Sequence, residues 1–335
     1  MKALLLAVQF FPLLLTAVLL YYLPYFSRRG VYFGAIVDAG FPATAQGQSL
    51  RHSYRIEVLV WTLLALLLAF IAGSRAPELV PASLTLLVVL TGISYFRRFR
   101  IIHRDFGTRV SDIREAALTS TSELNGPTLW ITLVPLVLLA AAAVYLKLHW
   151  SEIPQRFPVH YGPDGHPNRW AQRSFVGVFQ PIFFGLYLNL FLLAIAWLSE
   201  HWARRSTMQQ LTVRCLQWLT WPLSLVFVLI ALSPIFPVPI WLMLLVVFGG
   251  VIAIVGWMIR QFSSLPDTDN TAPQPDDCWK AGSFYYAPDD PAIFVEKRVG
   301  LGMTFNFGNR WSWVVIAGIT FAILFPTALI VIFNR

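Results

Sequence analysis

The sequence predicts an all-α polytopic integral membrane protein, with about eight transmembrane helices, a short turn-rich extracytoplasmic loop and a small cytoplasmic cap that is aromatic and β-hairpin-like. Three observations carry this expectation. The 335 residues are 57% hydrophobic and only 13% charged, where a soluble domain carries about a quarter charged residues. Apolar runs long enough to cross roughly 30 Å of hydrocarbon recur along the chain. Backbone groups in lipid must bond to one another, so runs of this kind are helices.

Taken in order, the expected spans are roughly 3–26, 56–73, 79–96, 128–148, 178–198, 216–233, 238–259 and 311–333. The first follows Lys2 as a signal peptide would, but it is too long and lacks a small-x-small cleavage site before Arg28, so it reads as a retained helix. Gly73 to Pro77 and Ser233 to Pro239 are short turns that make antiparallel hairpins of the spans they join. Pro12, Pro135, Pro222 and Pro326 fall inside spans and are expected to kink them.

Lys and Arg set the orientation. The first, third, fifth and seventh loops carry 18 of them, and the remaining loops and termini carry 7. The odd loops are therefore expected inside, with both termini and the loop 149–177 outside. The net charge of +8 is explained by basic loops facing anionic lipid. No nucleic-acid motif accompanies it, and no nucleic-acid partner is expected. Cys215 and Cys278 have no metal-ligand spacing and fall on the expected cytoplasmic side, where disulfides are rare.

The sequence divides into an N-terminal membrane region, 1–127, a span-loop-span unit, 128–198, and two further spans, 199–262. A linker, 263–277, a small cytoplasmic domain, 278–310, and a last span, 311–335, follow. Within the first region, Phe99, Ile102, Phe106, Val110, Ile113 and Ala117 recur at helical spacing among arginines, which predicts a basic amphipathic helix over 97–117 on the inner leaflet. The linker is acidic and lacks hydrophobic clusters. The small domain turns aromatic, and Phe284 to Tyr286 and Ile293 to Val295 read as two short strands flanking Pro288-Asp-Asp-Pro291.

Chemistry has few candidates. No ionisable residue lies near the middle of an expected span, which disfavours a proton relay or coupled transport. Asn189 is expected to bond between helices. The outer loop is the densest polar stretch: His149, Glu152, His160, Asp164 and His166 fall within 18 residues. There is no HExxH or CxxC, however, so no metal is expected. Gly162 to Gly165 suits a tight turn, with His160 and Asp164 fixing the loop and Trp170 anchoring it at the interface. No catalytic set or cofactor is expected, and the chain reads as a non-enzyme.

The loop Ile153-Pro-x-x-Phe-Pro-Val-His160, continued by Gly162-x-Asp164-Gly165-x-Pro167-Asn168-x-Trp170, resembles that of the SdpI-like bacterial membrane proteins. Pro154, Pro158, His160, Gly165 and Trp170 fall on the family's recurrent positions. Asn168 stands where Asp is common and Gly162 where Asn is common. Trp279-Lys280, Phe284 to Pro291, Phe294-Val295, Lys297-Arg298, Gly300-x-Gly302 and Asn306-Phe-Gly308 look like a small uncharacterised domain that accompanies this loop.

The resemblance implies a bacterial inner-membrane protein. The family's best-known branch gives immunity against a secreted peptide toxin and takes part in signalling. Binding would fall to His160, Tyr161, Asp164 and Trp170, with Pro154, Pro158, Gly165 and Asn168 shaping the loop. Trp279, Tyr285, Asp289, Asp290 and Asn306 would mark the cytoplasmic domain. The expected partners are membrane lipids, an extracellular peptide and a cytoplasmic regulator. A transporter is the alternative, and a membrane metalloenzyme using His160 and His166 is the second.

Overall fold

The computed structural model describes residues 2–27, 30–75, 80–107, 128–161, 167–203, 206–263, 276–300 and 302–333. The helices are α1 (Lys2–Tyr22), α2 (Ala45–Arg75), α3 (Val80–Asp105), α4 (Thr128–Leu148), α5 (Phe175–Trp202), α6 (Thr207–Leu232), α7 (Ile240–Ser263) and α8 (Arg310–Phe333). Six of them, α2 to α7, are long and apolar enough to cross a membrane; α1 and α8 contribute the shorter apolar stretches Phe10–Tyr25 and Arg310–Leu324. Where the sequence predicts eight spans, six meet that measure among the described residues. The chain is a multi-pass helical membrane protein that also carries small β-hairpins.

Two compact units make up the chain. The first comprises Leu5–Ser120 and Pro266–Ile319. Its helical part packs small residues against large ones: Leu13 and Ala17 of α1 meet Ala65, Ala69 and Leu87 of α2 and α3. Close approach of this kind drives helix association where lipid removes the hydrophobic incentive.

At the end of this helical group the chain builds paired hairpins. Strands β1 (Val31–Tyr32) and β2 (Ala35–Ile36) join through Phe33 and Gly34, both at positive φ (48° and 84°), the conformation a two-residue hairpin loop requires. Phe33 tolerates it because its ring is fully buried against Tyr32, Tyr54 and Tyr95. Strands β3 (Arg156–Tyr161) and β4 (Pro167–Gln172) belong to the second unit. In the first, β5 (Trp279–Lys280) pairs with β6 (Phe284–Tyr285), and β7 (Phe294–Glu296) with β8 (Met303–Phe305). The expected partnership of Phe284–Tyr286 with Ile293–Val295 is thus corrected. Each strand pairs across a nearer turn, one closed by Ala281 and Gly282 and the other flanked by Gly300 and Gly302, all at positive φ.

The segment between α1 and α2 and the small domain that follows α7 come together here. A Cβ on Gly34 would lie 2.7 Å from the Gly282 carbonyl, and one on Gly282 would lie 2.6 Å from the Phe99 ring. Arg298 donates to the Gly34 carbonyl at 3.1 Å, and Ser27 bridges Val299. The expected amphipathic helix 97–117 is corrected in its first part: 97–105 continue α3 without a break, and Arg98 is buried. Residues 108–117 lie outside the described residues, as does most of the linker.

The second unit comprises Met1–Leu4, Thr121–Leu265 and Thr320–Arg335. Helices α4 to α7 form its bundle. Gly185 of α5 lets the backbone approach its neighbours, since a Cβ there would lie 2.9 Å from both Leu139 and Phe227. Asn189 is fully buried, donates to the Gly185 carbonyl at 2.7 Å and accepts from Ser224 at 3.1 Å. It bonds between α5 and α6. Trp221 ties α6 to α4 through the Ile131 carbonyl at 2.9 Å.

Candidate functional site

The β3–β4 hairpin is the part of the bundle unit that stands out in polar, exposed residues. Its foot is rigid for identifiable reasons. Ile153 and Phe157 are buried with Leu139, Leu146, Val178 and Phe179. One Nη of Arg173 donates to the carbonyls of Trp150, Ser151 and Ile153 at 3.3, 3.2 and 3.0 Å, tying off the segment that leaves α4. Ser174 then caps α5 by accepting from the Gly177 amide at 3.0 Å, a bond typical of helix N-caps. Hairpin and helices α4 and α5 are joined by side chain to backbone bonds at both ends.

Above this foot the register shifts twice. Pro158 faces Trp170, His160 faces Arg169 and Tyr161 faces Pro167, so Val159 and Asn168 are each an extra residue in their strand. Proline cannot donate to a ladder, and bulges are where such residues are accommodated. The bulges redirect side chains: Val159 and Trp170 are exposed at 46% and 45%, and the Arg156 guanidinium covers the Trp170 ring at 5.3 Å. The result is an apolar and cationic face standing clear of the bundle.

The expected site residues fare differently. His160 is exposed, and its Nδ1 lies 2.6 Å from Oδ1 of Asn168. The loop is therefore held across the strands by His160 and Asn168, where the sequence suggested His160 and Asp164. Asp164, Gly165 and His166 lie outside the described residues. Tyr161 closes the ladder opposite Pro167. Pro154 is exposed and Pro158 half-buried. Among the described residues no group of three or more His, Cys, Asp or Glu gathers in a way that could hold a metal ion. Beside the foot, α4 and α5 enclose an apolar groove of about 380 Å³, bordered by Lys147, Phe175 and Phe183, with Lys147 over Trp150 at 5.9 Å.

The five residues expected in the cytoplasmic domain turn mostly inward. Asn306 is fully buried. Its Oδ1 accepts from the amides of Ala287 and Gly308, both at 3.0 Å, and its Nδ2 donates to the carbonyls of Ala287, Asp290 and Ala292 at 2.8, 3.1 and 3.2 Å. Tyr285 donates to Asp290 at 2.8 Å, and the other Asp290 oxygen accepts from the Ala292 amide. Trp279 packs on Tyr285, with centroids 5.2 Å apart. Asp289 is exposed. Tyr285, Asp290 and Asn306 form a hydrogen-bonded core that replaces regular sheet over 287–293, with Trp279 packed against it.

Sequence reasoning passed over a polar cluster within the helices. Glu57 of α2 receives Arg98 in a two-oxygen pair at 2.7 Å and Arg97 at 2.7 Å. Arg98, with a side chain 7% exposed, also donates to Ser53 and the Ser94 carbonyl. The signal was present as Glu57 and the Arg97-Arg98 pair, each one turn or less from the end of an apolar run.

Two family models match the chain. One, described as a domain of unknown function (DUF1648), covers residues 136–186, which hold the second half of α4, the hairpin and the first part of α5. The other, described as a family of unknown function (DUF5808), covers residues 288–313, including Asp290 and Asn306. No curated protein and no solved structure matches the chain.

Proposed function

We propose that this is a bacterial inner-membrane protein of the SdpI-like type, which uses the β3–β4 hairpin to recognise an extracytoplasmic peptide or envelope component in toxin resistance or sensing. The observation that carries this reading is the hairpin's construction. A foot fixed by Arg173 and Ser174 holds out Val159, His160 and Trp170, and a preformed surface loses little entropy on binding. The lysine and arginine bias supports an outward hairpin, with both termini outside and loops 97–127 and 260–310 in the cytoplasm. The cytoplasmic cap would meet a regulator.

The test is photocrosslinking from positions 161 and 170 in native membranes, with mass spectrometry of what is captured. The expected result is a specific peptide or envelope protein, lost in H160A/D164A at unchanged expression. Labelling by lipid and water alone, with the hairpin shown to be outside, refutes recognition.

Transport is the second reading. The side-chain amide oxygen (Oε1) of Gln217 is buried in α6 without a hydrogen-bond partner among the described residues, one turn before buried Thr220 and two before Ser224, a polar line through the bundle. Water-soluble thiol reagents reaching a cysteine placed at 217 would support it; complete protection would refute it.

A further inference from the structure

Two arginines on α2 lack the carboxylate partners that Arg97, Arg98 and Arg104 of α3 find. Arg97 and Arg98 share Glu57, and Arg104 takes Asp105. Arg51 and Arg55, one helical turn apart on a single face, have no carboxylate within 4 Å among the described residues. They pack instead on Tyr21 and Tyr22, which end α1, and on Tyr25 in the turn that follows it. The Arg55 guanidinium carbon lies 4.6, 5.8 and 4.8 Å from the ring centres of Tyr21, Tyr22 and Tyr25, and that of Arg51 lies 5.0 Å from Tyr25.

We propose that Arg51 and Arg55, framed by Tyr21, Tyr22 and Tyr25, form a binding site for a phosphate-bearing anion. Ring contacts satisfy the faces of a guanidinium but leave the donors in its plane unmet. The Nε of Arg55 shows this directly: it is buried with no hydrogen-bond acceptor. Both cations sit on one ring, within about 10 Å of each other, so salt screens their repulsion only partly. An anion between them removes the repulsion and meets the planar donors, and phosphate matches that fork geometry.

The surroundings favour the phosphate of a lipid headgroup. Tyr22 and Tyr25 are exposed at 47% and 48%, which leaves the outer side of the site open. Immediately along the two helices, Val18, Ile56 and Leu59 are exposed apolar residues, placed to meet acyl chains. Tyrosine and arginine at the end of an apolar run mark the depth of the headgroups. A free phosphorylated solute would offer the same charge without using that apolar flank.

The full chain, purified in neutral detergent, tests the site through its thermal unfolding during titration with dioleoyl phosphatidylglycerol, dioleoyl phosphatidylcholine or inorganic phosphate. The expected result is a saturable rise in Tm with phosphatidylglycerol that phosphatidylcholine does not match, its midpoint weakened about tenfold or more in R51Q/R55Q. R51K/R55K, which keeps the charges, retains most of the response, and single R51Q gives an intermediate value if the double variant does not fold. A response to inorganic phosphate equal to that for phosphatidylglycerol keeps the site and assigns it to a soluble phosphorylated ligand. Equal responses to the two lipids with none to phosphate, or an undiminished response in R51Q/R55Q, overturn the proposal.

Discussion

Replacing Asn306 with alanine should open the small domain while leaving the membrane helices folded. The side chain makes five hydrogen bonds, and its removal strands the Ala287 and Gly308 amides and takes a donor from the carbonyls of Ala287, Asp290 and Ala292. A buried group left unsatisfied costs about 1–3 kcal/mol. Ala287 and Gly308 are only half-buried, so water recovers part of the loss there; Asp290 and Ala292 are buried at 7% and 9% exposure. Counting mainly the buried partners gives about 3 kcal/mol. Hydrogen exchange measured on the full chain in detergent reports the local opening directly, and about 3 kcal/mol corresponds to exchange roughly a hundredfold faster. The acceleration should be confined to amides of 285–308. Unchanged exchange there would refute the view that one asparagine organises this segment; equal acceleration in α5 and α6 would mean that the loss is global.

Glu57→Gln leaves Arg98 buried beside a neutral partner and should cost about 2–3 kcal/mol, the lower end for a broken buried pair because Glu57 is 27% exposed. Replacing Glu57 and Arg98 together by methionine should recover part of that loss, and strictly additive effects in a thermal-unfolding double-mutant cycle would show that the pair is uncoupled. Arg173→Ala removes the donor to three carbonyls and should raise exchange and protease cleavage over 150–174 by about 2 kcal/mol of local stability, with α6 and α7 unaffected; intact protection of the hairpin foot would show that Ile153 and Phe157 suffice. Burial pushes the phenol of Tyr32 up to about 12, against the opposing charge of Arg51. Its charged form is disfavoured in the fold, so stability should fall as pH rises from about 10 to 12, by at most about 3 kcal/mol. Tyr32→Phe should flatten that loss, at the expense of the bond to the Gly47 carbonyl; an identical alkaline decline in the variant would assign it to another group.

Hydropathy made most of the helices legible because the requirement for an apolar run acts along one dimension. The bond of Asn189 between helices was legible too, since a lone amide in a span has few other partners. The small domain was harder. Its aromatic residues and the Asp-Asp turn were visible, but strands of two and three residues carry too little alternation to reveal their partners. The pairing depends on left-handed Ala281, Gly282, Gly300 and Gly302. Likewise, Val31 to Ile36 gave no signal as a hairpin, because its turn places a phenylalanine at positive φ and is held by long-range burial against Tyr54 and Tyr95. Arg98 read as one of a basic loop cluster because α3 continues about two turns beyond its apolar run. On the outer loop, the composition named His160 correctly as a bonded residue but not Asn168 as its partner, since the bulges that bring them together are a property of the register.

The two segments that match family models use their polar residues in opposite directions. Within 288–313, Asp290 and Asn306 turn inward, and their donors and acceptors are consumed by the chain's own backbone. Substitution there changes stability first, and any effect on a partner follows from the altered shape. Within 136–186, Arg173 is spent on the foot, while His160, Arg169 and Trp170 remain on the exposed hairpin. Groups held outward on a braced support retain their capacity for contacts with another molecule, whereas groups saturated internally do not. Variants of the outer residues that leave Tm unchanged are therefore the informative ones for recognition, and loss of function at Asn306 carries weight only after its effect on folding has been measured.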